Sequence, residues 1–163
     1  MASLFDAITA IHELKERGLI ADYAIGGAMA HIFWAEAVTT FDLDVIVLLP
    51  APVGINVLGP IYAWADEHDL PKEGEHIVIG GVPVQFLPAY SPLAEEAVQG
   101  AKTLDYNGLP IRVIDPEHLI GLSLEGSAAT TKRKLRAAML RDSPGVVNEA
   151  VLQDIFARYN LKW

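Results

Sequence analysis

Apolar residues at Leu4, Ile8, Ile11 and Leu14 recur at helical spacing, with Lys15, Glu16 and Arg17 on the polar side and Gly18 as the stop. This predicts a packing helix. Asp22 then introduces a short strand, Tyr23 to Ile25, and Gly26-Gly27 leads into a helix that is apolar nearly all round (Ala28, Met29, Ala30, Ile32, Phe33, Trp34), which predicts a central position. Beyond Thr39-Thr40 the chain alternates Asp42, Leu43, Asp44, Val45 into a strand ending at Leu49, and Pro50 and Pro52 break the pattern. Residues 55–68 predict an amphipathic helix anchored by Trp64. Two runs rich in β-branched residues, Glu75 to Ile79 and Val82 to Leu87, flank Gly80-Gly81, the signal of a two-residue hairpin. A second hairpin is predicted at Asn107-Gly108, between 102–106 and 110–114, after a short helix over 92–99. From Pro116 onward the chain reads as three helices, 116–125, 131–141 and 148–159. Asp115-Pro116 supplies a cap and a first-turn proline, and Ser143-Pro144-Gly145 is the last break.

These elements predict an α+β fold: a small mixed sheet flanked by helices, with a helical C-terminal part closing over one edge. A length of 163 residues suits one domain, with a sheet-containing core over 1–115 and C-terminal helices over 116–163. The 52% apolar content and mean hydropathy of +0.28 suggest well-buried strands and allow an apolar surface for a homodimer or a protein partner. No apolar run reaches the roughly 18–20 residues that span a bilayer, so no membrane is expected and the cytoplasm is the default location. The absence of cysteine excludes disulfides and thiolate metal sites.

Charge changes the picture. A net −9 argues against a surface that grips nucleic acid throughout. The charge is unevenly spread: residues 1–129 carry 5 Lys/Arg against 18 Asp/Glu, whereas residues 130–163 carry 7 against 3. The basic run Lys132, Arg133, Lys134, Arg136 opens the second C-terminal helix, where Lys132 and Arg136 share a face at i, i+4.

In a strand, Asp42 and Asp44 point the same way. Two adjacent carboxylates repel unless a cation lies between them, and hard oxygen ligands of this kind suit Mg²⁺ completed by substrate phosphates. Gly26-Gly27 supplies a matching cradle, since glycine lets a backbone approach a ligand and the following helix presents free N–H groups. Taken together, Gly-Gly, a short apolar helix, Thr39-Thr40 and Asp42-x-Asp44 entering an apolar strand resemble the signature of the nucleotidyltransferase superfamily with its polymerase-beta-like fold. Within it the chain is similar to small bacterial nucleotidyltransferase-like proteins related to abortive-infection and toxin-antitoxin enzymes. The resemblance extends through Gly81 to Tyr90 and Ile111 to Leu122.

The resemblance implies a Mg²⁺-dependent enzyme that moves a nucleoside monophosphate from an NTP such as ATP to a hydroxyl of a protein, an RNA or a small molecule. Asp42 and Asp44 match two of the superfamily's three acidic residues as catalytic metal ligands, with Gly26 and Gly27 as the phosphate-loop backbone and Thr40 beside them. The third acidic position falls on Gln85, which can offer a carbonyl oxygen but neither charge nor a proton-accepting group. Glu75 and Asp105 are the carboxylates that could substitute, set against their reading as solvated strand residues. Lys132 matches a lysine that meets the triphosphate in related proteins; Arg133 stands where an aspartate often follows. His31 reads as a satisfied interior or interface histidine rather than a ligand, and Glu36 could face the metal, set against its reading as a solvated helix-end carboxylate. His12, His68, His76 and His118 lack zinc-site spacing and are assigned no chemistry. Two other readings stay open: a catalytically impaired nucleotide-binding or regulatory protein, and an antitoxin-like protein-binding module.

Overall fold

The computed structural model describes residues 3–35, 42–50, 56–126 and 129–163. Helix α1 (Leu4–Glu16) starts where the Ser3 hydroxyl accepts the Asp6 N–H, and it buries Ala7, Ile8, Ile11 and Leu14. Strand β1 (Asp22–Gly26), helix α2 (Gly27–Ala35) and strand β2 (Leu43–Leu48) follow, then helix α3 (Gly59–Glu67). The hairpin strands β4 (His76–Ile79) and β5 (Val82–Pro88) turn at Gly80-Gly81, both at positive φ, and β3 (Lys72–Glu73) precedes them. Helix α4 (Pro92–Gln99) leads to strands β6 (Lys102–Tyr106) and β7 (Leu109–Val113), and helices α5 (Pro116–Leu124), α6 (Thr131–Asp142) and α7 (Glu149–Tyr159) complete the chain.

The strands form one mixed sheet in the order β3-β4-β5-β2-β1-β7-β6. β2 runs parallel to β5 and antiparallel to β1, so the strand with the acidic pair occupies the middle of the sheet. Alternation sorts its two faces. Leu43, Val45 and Val47 of β2 are fully buried, as is Val84 of β5, and Ile77 of β4 is nearly so. α1 packs on β4 and β5, and the Trp64 indole of α3 donates to Glu13 at 3.4 Å, which joins α3 to α1. Asp44 and Ile46 lie on the opposite face of β2.

Several expectations are corrected. α2 is less buried than its apolar sequence predicts: among its residues only Ala30 and His31 are buried. The helix is short and touches the sheet on one side and α5 and α6 on another, which leaves Met29, Phe33 and Trp34 half-covered. β3 was not predicted, because two exposed residues carry no alternation. The strand expected from Glu75 starts at His76, and Glu75 sits in the β3–β4 turn. The helix expected over 55–68 begins at Gly59, with Pro60 in its first turn. The C-terminal part was expected over one edge; α6 packs on α2 and α5 and shares a cleft with Asp44, Ile46 and Leu87 of β2 and β5, in the middle of the sheet. Among the described residues, no helix is long and apolar enough to cross a membrane.

A polar network ties the C-terminal helices to α4. The Asp115 carboxylate caps α5 by accepting the His118 backbone N–H at 2.8 Å, and it also faces His118 Nδ1 at 2.8 Å. Glu96 faces His118 Nε2 at 2.7 Å and accepts from Arg158 at 2.6 and 3.0 Å and from the Tyr159 hydroxyl at 3.0 Å. With a carboxylate at each ring nitrogen, His118 is placed to donate from both, which favours the imidazolium. Burial alone would lower its pKa, but the hydrogen bonds and charges of Asp115 and Glu96 outweigh that and hold it above the usual value. Arg158, helped by His118 and Tyr159, holds the Glu96 carboxyl down to about 2. Because the folded pKa of His118 is raised, its contribution is complete below the unfolded value of about 6.5 and is lost as pH rises through the folded one. His118→Gln should therefore cost about 1.5–3 kcal/mol in urea unfolding at pH 5.5, on the scale of charged hydrogen bonds. At pH 9 it should cost clearly less; an equal cost at both pH values would refute the imidazolium.

Candidate functional site

The site begins at the two glycines. Gly26 pairs with Asp44 across β1 and β2, and Gly27 opens α2 in the left-handed region at φ +58°. A Cβ on Gly27 would lie 2.1 Å from Asp44 Oδ2 and 2.9 Å from its Cγ, so the carboxylate rests in space that only glycine leaves open. Asp42, exposed, precedes the first residue of β2. Burial and the neighbouring Asp42 charge raise the Asp44 pKa, against the opposing pull of His76, Arg133 and Arg136.

The strand registers extend this group sideways. Asp44 lies opposite Gln85 of β5. The β4–β5 pairs Ile77↔Val84 and Val78↔Pro83, continued by one residue, bring His76 opposite Gln85. Asp44, Gln85 and His76 thus form one row on the same face, and His76 Nε2 lies 3.9 Å from Asp42 Oδ2. The Gln85 amide donates to Glu75 Oε2 at 2.8 Å. A turn residue is free of strand alternation, which lets this carboxylate reach the row.

Above Asp44 lies a cleft of about 170 Å³. Asp44, Ile46 and Leu87 form its floor, Leu119, Leu122 and Ser123 of α5 one wall, Gly27 and His31 of α2 another, and Arg133 and Arg136 of α6 face them. Across Leu87 is a second cleft of about 190 Å³, whose lining includes Tyr62, Glu75 and Gln85. His31 is 3% exposed, and burial followed by the charges of Arg136 and Arg133 lowers its pKa to about 4, so it is neutral.

Asp42, Asp44, Gly26 and Gly27 are therefore brought together, with Gln85 beside them. Lys132 is not part of the cleft: it is exposed, and the cationic pair is Arg133 and Arg136. α6 is held down by buried Ala137 and Leu140, and the positions one turn earlier on that face are 133 and 136. Asp105 is far from the row, on the opposite edge strand, where it accepts the Gly108 N–H. Thr39, Thr40 and Glu36 lie outside the described residues. His76 was missed, although counting back from the Gly80-Gly81 turn would have found it.

Among the described residues, no group of three or more His, Asp or Glu could hold a metal ion. Among the described residues, the oxygen donors at the row are the Asp42 and Asp44 carboxylates and the Gln85 amide, with the Glu75 carboxylate hydrogen-bonded behind Gln85. Two carboxylates fit one hard cation completed by phosphate and water.

No protein-family model matches the chain, and no curated relative matches it. Among solved structures it is similar to an antigenic nucleotidyltransferase-like protein from Paracoccidioides brasiliensis, with a TM-score of 0.52 and 16% identity over 96% of this chain and 88% of that one. It also matches ANT(2")-Ia in complex with adenylyl-2"-tobramycin, with a TM-score of 0.49 and 20% identity over 94% of this chain and 98% of that one. The fold is nucleotidyltransferase-like, as the resemblance implied, and at these identities the likeness is one of fold.

Proposed function

We propose that the chain binds a nucleoside triphosphate between β2 and α6 and transfers its nucleoside monophosphate to a hydroxyl. The observation that carries this reading is the opposition, across one cleft, of Asp44 against Gly27 and of Arg133 and Arg136. The two guanidinium groups suit phosphate oxygens, which they bind through paired N–H donors. The apolar floor and wall, Ile46, Leu87, Leu119 and Leu122, keep water from that charge and strengthen it. A single Mg²⁺ held by Asp42 and Asp44 would supply phosphate charge neutralisation. In the transfer the acceptor oxygen bonds to the α-phosphorus, the bond to pyrophosphate breaks and pyrophosphate leaves, and the hydroxyl proton passes to solvent water.

A second reading is favoured by one specific observation. Gln85 cannot take that proton, and its amide is engaged with Glu75. A chain that binds nucleotide without transferring it would have this feature.

Thermal unfolding with ATP, GTP, CTP and UTP, with and without Mg²⁺, tests binding. At about a hundred times its Kd a ligand stabilises by roughly 2.7 kcal/mol, or about 5–10 °C at this size. A Mg²⁺-dependent shift should appear in the wild type and vanish in Asp42→Asn/Asp44→Asn. No shift with any nucleotide would overturn both readings. Pyrophosphate release separates them: a nucleotide-dependent shift with release only in Gln85→Asp would favour the binding protein.

A further inference from the structure

We propose that His31 is a proton-accepting anion contact, which becomes an imidazolium when phosphate fills the cleft, so that nucleotide binds with uptake of a proton. The inference rests on the nucleotide-binding reading and adds a residue and a pH dependence to it. His31 stands one turn after Gly27, so the two share a face of α2, and it lines the cleft although it is only 3% exposed. Arg133 and Arg136 line the same cleft. Among the described residues, the charged and titratable groups that line the cleft with it come from the elements packed on α2: Arg133 and Arg136 from α6, Asp44 from β2, and Glu125 directly after α5. β1 ends there in the uncharged Gly26.

Without ligand, burial and the two arginines keep the ring neutral, at a pKa of about 4. A di- or trianionic phosphate chain between His31 and α6 reverses the sign of that field. Opposite charge within about 4–6 Å favours the protonated ring and compensates the arginines that suppress it. The complex then holds one proton more than the free protein at any pH between the two pKa values. Affinity must therefore rise as pH falls through that window, by at most about tenfold per pH unit. The terminal phosphate and Asp44 titrate in the same region, so the decisive quantity is the difference between wild type and a His31 variant.

The experiment is calorimetric titration of ATP with Mg²⁺ at pH 6.5, in buffers of different ionisation heat, on the wild type and His31→Gln. The wild type should take up about 0.5–1 proton more per ATP, and its affinity should gain several-fold more than that of the variant between pH 7.5 and 6.0. In parallel, the Cε1–H resonance of His31 in the intact wild type should stay at its neutral position from pH 7.5 to 5.5 without ATP and move to the protonated position with it. That measurement decides the matter if His31→Gln is poorly folded. Equal proton counts in the two proteins, with a His31 resonance unmoved by ATP, would overturn the inference and leave nucleotide binding standing. No ATP binding at all would overturn both.

Discussion

Gly27→Ala should lower the unfolding temperature by roughly 5–15 °C and abolish the Mg²⁺-dependent ATP shift. Two costs add. An alanine at φ +58° occupies the left-handed region at about 1–2 kcal/mol. Its Cβ would also fall 2.1 Å from Asp44 Oδ2, 2.9 Å from Cγ and 3.1 Å from Cβ, so the whole carboxylate side chain must move, not only its tip. Together these cost about 2–4 kcal/mol, which sets the temperature range at about 2–4 °C per kcal/mol for a chain of this length. Gly26→Ala is the internal control. Gly26 is not at positive φ, and its added Cβ would meet methyl groups of Ile46 and Ile114 at 3.2 and 3.3 Å, which can give way. It should cost about 1–2 kcal/mol and keep the ATP shift. If Gly27→Ala unfolds like the wild type, Asp44 does not depend on the glycine turn and the phosphate-side half of the site is wrongly placed.

This contrast also explains why half of the site was legible in the sequence. Asp42, Asp44 and the glycines are linked by local rules: strand alternation predicts the two carboxylates on one side, and a glycine pair at a strand-to-helix junction signals a close approach. The hairpins were equally local, since Gly80-Gly81 and Asn107-Gly108 take the positive φ values that a two-residue turn demands. So was the cap of α5, where Asp115 accepts a backbone N–H. The cationic half depends instead on which face of α6 turns inward. Charge spacing alone favoured Lys132 with Arg136. The burial of Ala137 and Leu140 selects Arg133 with Arg136, and that is a tertiary fact. His31 shows the same limit from the other side. It is interior as expected, but an apolar helix gives no sign that one of its residues faces a cleft lined by two arginines. Glu75 escaped for a further reason: it was placed on a strand, whose alternation says nothing of a side chain in a turn.

Asp44→Asn should move two measurements in opposite directions. Burial and the Asp42 charge raise the folded pKa of Asp44 above its unfolded value of 3.8, so without a cation the ionised carboxylate destabilises the fold. That cost is present above the folded pKa, is relieved as pH falls through it, and is gone below 3.8. The metal-free variant should therefore be more stable than the wild type at pH 7 by about 0.5–1 kcal/mol, the scale of a partly exposed charge pair, and the difference should close by pH 4. Taking the difference between the two proteins removes His31, whose lowered pKa reduces stability as pH falls from about 6.5 toward 4 in both. With Mg²⁺ and ATP the order should invert, because only the wild type then has a cation to offset its repulsion. A residue that weakens the empty fold and strengthens the liganded one is retained for its ligand. If Asp44→Asn destabilises the metal-free protein instead, and Mg²⁺ with ATP leaves the order unchanged, the carboxylate is a structural partner of the glycine turn. The nucleotide reading would then lose its central residue.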